Sequence, residues 1–133
     1  MSSSTKRISG GSILEDRAGY CRAIRVDGWI AVSGSVAPTA AGERLADLDG
    51  YRQTRRAFEA ALGFAERLGA SSDSVIRTRM YLAPHAEWQE CARAHGELFG
   101  RHRPANTTVY AGRLIPDGAL VEVELDACAA EER

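Results

Sequence analysis

Residues 103–128 read RPANTTVYAGRLIPDGALVEVELDAC, and this stretch decides the fold. It holds two segments in which apolar residues alternate with polar ones, separated by Pro116, Asp117 and Gly118. A period of two marks strands with one face on a core, and Pro-Asp-Gly is turn chemistry. Asn106, Thr107 and Thr108 open the first strand, and Glu122 and Glu124 share one face of the second. An amide and two hydroxyls beside two carboxylates predict a small polar pocket at a sheet edge.

Upstream, VIRTRMYL at residues 75–82 alternates in the same way, with Ile76, Thr78, Met80 and Leu82 on one face and Arg77, Arg79 and Tyr81 on the other. Before it, Tyr51, Phe58, Ala61, Leu62, Ala65 and Leu68 form one helical stripe, capped by Asp47 or Asp49 and followed by Gly69. After it, Pro84 marks the start of a second helix with Trp88, Cys91, Ala92, His95, Leu98 and Phe99 as its stripe, ended by Gly100. Nearer the N-terminus, the runs at residues 20–26 and 29–34 flank Asp27-Gly28, which predicts a hairpin with positive φ at both turn positions. Residues 35–48, with Pro38 and Gly42, read as a loop. Residues 1–12, rich in Ser and Gly, read as a flexible N-terminus, with room for one short strand near Ile8 or Ile13. Residues 13–130 then make a single domain.

The order is β-β-α-β-α-β-β, an α+β fold. Helices with one apolar stripe each must bury it on the same face of the sheet. The other face carries Thr, Arg, Tyr and Glu side chains with nothing in the chain to cover it. Another subunit is the expected cover, in a closed ring, and residues at that contact are the candidates for chemistry.

Totals exclude several classes. A chain of 133 residues suits one well-buried domain. With 17 basic and 18 acidic residues there is no electrostatic case for a nucleic-acid partner. Arg52, Arg55 and Arg56 read as a solvated helix face rather than an RNA track. No apolar run approaches the roughly 20 residues that span a bilayer, and MSSSTKRISGG lacks the apolar core of a secretory signal. Cys21, Cys91 and Cys128 form neither a CxxC pair nor a disulfide framework, so reduced thiols in a cytoplasmic protein are expected. His85, His95 and His102 fall in different elements, and a metal site is not expected. Ser33 has no histidine near it and no nucleophile-elbow context, against a serine hydrolase.

From about residue 20 to 127 the chain resembles the RidA/YjgF family, some members of which carry the label L-PSP endoribonuclease. The resemblance rests on Gly19-Tyr20, on VSGSVAP with Ser33 and Gly34, on the helix from Tyr51 with Gln53, on VIRTRMYL and on the tail. It implies a chorismate-mutase-like fold, a homotrimer with three clefts between subunits, and hydrolysis of reactive enamines and imines such as 2-aminoacrylate without a metal or organic cofactor. Carried over by position, Tyr20 covers the ligand, Ser33 and Gly34 line the pocket, Glu122 holds the attacking water, and the backbone of Thr108 faces the substrate. Asn106 stands where deaminase members have an arginine that clamps the substrate carboxylate.

A guanidinium gives two parallel charge-assisted hydrogen bonds, whereas an amide gives a neutral donor. The exchange costs on the order of tenfold to several hundredfold in affinity for an anionic imino acid. The expected substrate is therefore a small enamine- or imine-type metabolite other than 2-aminoacrylate, hydrolysed, deaminated or tautomerised. Asn106 either meets a neutral or hydroxylated ligand or bonds its own backbone. Arg79 either supplies the missing positive charge or pairs with Glu122 or Glu124. The alternative function is a non-catalytic, trimeric small-molecule-binding or scaffold member. Ribonuclease activity is disfavoured by the charge balance and by the lack of a His-His or His-Lys pair.

Overall fold

The computed structural model describes residues 4–130. In chain order the elements are β1 (Thr5–Ile8), α1 (Ile13–Ala18), β2 (Ala23–Val26), β3 (Trp29–Ser35), α2 (Gly50–Arg67), β4 (Val75–Leu82), α3 (Trp88–Phe99), β5 (Ala105–Tyr110) and β6 (Val121–Cys128). The six strands make one sheet in the order β1-β2-β3-β6-β4-β5. Neighbours are antiparallel except β4 and β5, which run parallel with Thr78 beside Asn106 and Met80 beside Thr108. Because β3 and β4 are both antiparallel to β6, they point the same way. α2 and α3 are thus the crossovers of two successive β-α-β units. Right-handed crossovers that step across a sheet in one direction place their helices on one face.

That face is the core. Ile30, Val32, Val121, Val123, Leu125, Met80 and Leu82 meet Ala57, Phe58, Ala61 and Ala65 of α2 and Cys91 and Phe99 of α3, all buried. Phe58 packs edge-on against Phe99 and His95, with ring centroids 5.1 and 5.5 Å away. Of the two candidate caps for α2, Asp49 serves, accepting the Arg52 amide at 2.9 Å. Among the described residues no helix is long and apolar enough to cross a membrane.

The structure corrects several expectations. The extra strand expected near Ile8 or Ile13 forms at Ile8, where Thr5–Ile8 pairs along β2, so the stretch is not loose through residue 12; Ile13 starts a helix. The first three residues of that stretch lie outside the described residues. In the hairpin turn the positive φ falls on Asp27 (53°) and not on Gly28. A bulge between Val75 and Arg77 buries Val75 and turns Ile76 out to 39% exposure. On α3 the buried stripe is Cys91, Ala94 and Phe99, so Trp88 and Ala92 face solvent. The turn chemistry at Pro116–Gly118 does not make the tail a hairpin: β5 and β6 are not partners, because β4 lies between them.

Candidate functional site

A cleft of about 790 Å³ opens where β3 bulges beside β6. Val32 pairs with Leu125 and Ser35 with Val123, so Ser33 and Gly34 together oppose a single residue. Gly34 is there for close approach: a β-carbon on it would overlap the Glu122 carboxylate, which lies across this glycine. Tyr20, Ser33, Gly34 and Glu122 all line the cleft, as do Leu14 and Ala18 of α1 and Phe64 of α2. Four of the seven expected site residues are therefore brought together within one chain.

Glu122 is half-buried and makes no hydrogen bond or ion pair among the described residues. Burial raises its carboxyl above the ordinary glutamate value; Arg22 opposes that rise and Glu124 adds to it. Ser33 donates its hydroxyl proton to the Cys21 carbonyl at 2.6 Å, so toward the cleft its oxygen can only accept.

The other three expected residues lie elsewhere. Arg79 donates to Asp126 at 3.2 Å and sits 3.6 Å from Glu124, so it pairs with carboxylates on the open face rather than entering the cleft. Glu124 also accepts from the Tyr81 hydroxyl at 2.5 Å, which pushes the Tyr81 phenol up. Asn106 and Thr108 share the face of Thr78 and Met80, the helix side of the sheet. Asn106 donates to the Thr78 hydroxyl at 3.0 Å and accepts from Thr108 at 2.9 Å. Thr78 in turn lies 2.7 Å from His95 Nε2, and burial lowers that imidazole's affinity for a proton. The pocket of amide, hydroxyls and carboxylates expected at a sheet edge is therefore not formed within one chain. The amide and Glu122 lie on opposite faces with a strand between them.

Two contributors escaped the sequence reading. Arg22 lines the cleft and anchors the bulge, donating from Nη2 to Gly34 O at 2.7 Å, to the Ser35 hydroxyl at 2.8 Å and to Ser33 O at 3.2 Å. Its signal was the hairpin register: with Ala23 opposite Val32, Arg22 falls beside Ser33. α1 is the other. Ser12 and Glu15 form a capping box, a pattern visible as Ser-x-x-Glu, and the αL residue Gly19 ends the helix and delivers Tyr20 to the cleft.

A sheet covered by crossover helices on one face and bare on the other, with a carboxylate-backed cleft at its bulge, defines an α+β protein of the chorismate-mutase-like type. The chain belongs to the endoribonuclease L-PSP family, whose profile matches residues 11–129. It is 35% identical to an uncharacterised protein of Streptomyces coelicolor, over 95% of this chain and 93% of that one. A RutC family protein of Pyrococcus abyssi is 30% identical, over 79% of this chain and 82% of its own. Among solved structures, a Mycobacterium tuberculosis member of the YjgF/YER057c/UK114 family superposes with a TM-score of 0.81 at 33% identity, covering 95% of this chain and all (100%) of that one.

Proposed function

We propose that this protein is a cofactor-independent hydrolase of small enamine or imine metabolites, a RidA-type deaminase or tautomerase. It works as a cytoplasmic homotrimer with a cleft at each junction between copies. The observation that carries this reading is Glu122: a carboxyl without a partner among the described residues, raised by burial, lying over a glycine in a cleft. A group poised nearer neutrality can both accept and return a proton. As a water oxygen bonds to the imine carbon, Glu122 takes the water's proton and passes it to the nitrogen. The resulting carbinolamine expels ammonia and leaves a carbonyl compound. A tautomerisation needs only the proton transfer.

The trimer is supported by what one copy leaves uncovered. Ile115 borders the cleft yet is 89% exposed, and every residue of β5 is exposed at the end of the sheet. In this assembly Asn106 and Thr108 serve a neighbouring copy's cleft, because they face away from their own. The free thiols of Cys21, Cys91 and Cys128 fit a reducing compartment.

A second reading, a non-catalytic small-molecule-binding trimer, is favoured by Arg79 being paired and by Asn106 bringing no charge. Ammonia release from freshly generated imino acids separates the two. The hydrolase releases ammonia above the buffer rate, and Glu122→Gln slows it by about 100-fold or more. Silence across a panel of imines and enamines leaves the binding reading. An unchanged rate in Glu122→Gln removes Glu122 from the chemistry.

A further inference from the structure

Arg22 differs from the chain's ion-paired arginines and from buried Arg25 in what surrounds it, and, unlike Arg77 and Arg103, whose hydrogen bonds are exposed, it is half-buried in a cleft. Arg55, Arg56, Arg79 and Arg93 each sit against a carboxylate. Arg25 is buried with Nε, Nη1 and Nη2 all donating to backbone carbonyls. Arg22 is fixed by Nη2 alone, on Ser33 O, Gly34 O and the Ser35 hydroxyl, while its guanidinium lies 5.5 Å from the Phe64 ring centroid. Its Nε and Nη1 have no partner among the described residues. Those anchors and the ring face hold the guanidinium in place before any ligand arrives, and this reduces the ordering cost of binding.

Nearby acids do not neutralise it by contact. Glu15 accepts the amides of Gly10 and Ser12, and Glu124 is bonded to Tyr81. Glu122 makes no ion pair. Among the described residues Arg22 is the single cation lining the cleft, whose remaining walls are largely apolar: Leu14, Ala18, Phe64 and Ile115. A half-buried guanidinium with a free edge calls for an anion, and a carboxylate matches its fork.

We propose that Arg22 is the anion receptor of this cleft, so that the ligand carries a carboxylate at one end and its reacting carbon–nitrogen group at the other. Gly34 fixes the layout, since Arg22 grips its carbonyl while Glu122 lies over its α-carbon. A carboxylate on Arg22 leaves the adjoining carbon beside Glu122. The positive charge that Asn106 lacks thus comes from β2's flank instead of β5. This inference rests on the cleft being the ligand site, but not on turnover.

The test is titration of the full chain with pyruvate, the 2-oxo acid left when 2-iminopropanoate is hydrolysed, and with pyruvamide, its neutral counterpart. Pyruvate is expected to bind about tenfold or more tightly than pyruvamide, and Arg22→Gln to abolish that ratio while leaving pyruvamide unchanged. In the unaltered chain the Arg22 Nε–H resonance shifts with pyruvate and not with pyruvamide, a readout that stands even where Arg22→Gln fails to fold. No measurable pyruvate binding, equal affinities, a silent Nε resonance or a ratio intact in Arg22→Gln each overturn the proposal. Pyruvate binding through Arg22 without ammonia release defeats the hydrolase and leaves the receptor. Ammonia release with an unchanged KM in Arg22→Gln defeats the receptor and leaves the hydrolase.

Discussion

The half-buried position of Glu122 carries a cost to the fold, and the sign of that cost can be measured. Its proton affinity is raised on folding, chiefly by burial. Such a group contributes stability that is complete below the unfolded-state pKa and is lost as pH rises through the folded value. At neutral pH the ionised carboxylate therefore destabilises the native chain relative to a neutral amide. Glu122→Gln is expected to melt at a higher temperature than the parent at pH 7, and the gap should close as pH falls toward the ordinary glutamate range. Thermal unfolding of both proteins across pH 4–8 checks this. Tyr20, Ser33, Gly34 and Glu122 could be read from the sequence because each sits in a short run whose pattern survives by position. Arg22 could not be read so directly, because an arginine between Cys21 and Ala23 looks like any strand polar residue until the hairpin register sets it beside Ser33.

At the scale of elements, Gln53 ties the cleft's rim to the helix layer. Fully buried on α2, it donates through Nε2 to Leu45 O, Leu48 O and Gly118 O at 2.9, 3.0 and 3.1 Å, and accepts the Leu120 amide at 2.8 Å. Pro116, which lines the cleft, sits just ahead of these contacts. Gly118 itself has φ +81°, and a β-carbon there would strike the backbone of Ala46. Gln53→Leu keeps the volume and strands three backbone groups, Leu48 O, Gly118 O and the Leu120 amide, while Leu45 O keeps the Leu48 amide, so it should lower unfolding free energy by about 2–4 kcal/mol in denaturant titration. The strands themselves were legible because alternation reports which residues share a face. It does not report which strand lies beside which, so two strands that follow each other in sequence, β5 and β6, end up with β4 between them. The clue was α3: a helix between β4 and β5 is the connection that a parallel pair requires. Ile76 was misplaced for a different reason, because a bulge shifts the period by one residue and leaves no local composition signal.

For the whole molecule, the bare sheet face bears an ordered row of charge in which Tyr81 and Arg79 from β4 meet Glu124 and Asp126 from β6. In one copy these pairs are half-exposed and contribute little each. Covered by other copies, they keep the contact polar and directional. Sedimentation equilibrium at micromolar concentration is expected to give three times the 14.4 kDa chain mass. A single-chain mass would remove the shared cleft and the proposed role of Asn106. The fold class was legible at this scale because two helices with one stripe each leave one side of a sheet unserved, whatever the strand order.

The position of β6 also bears on how the molecule is made. Among the described residues it is the last strand in sequence and yet lies between β3 and β4. During synthesis β1 to β3 and the β4–β5 pair are made before β6, and until β6 enters no strand lies between their inner edges. Most strand contacts thus close over long sequence separations, which slows folding and leaves the nascent chain exposed to edge-to-edge association late in synthesis. Glu122 lies on that closing strand, so the cleft comes into being only with the final step of assembly.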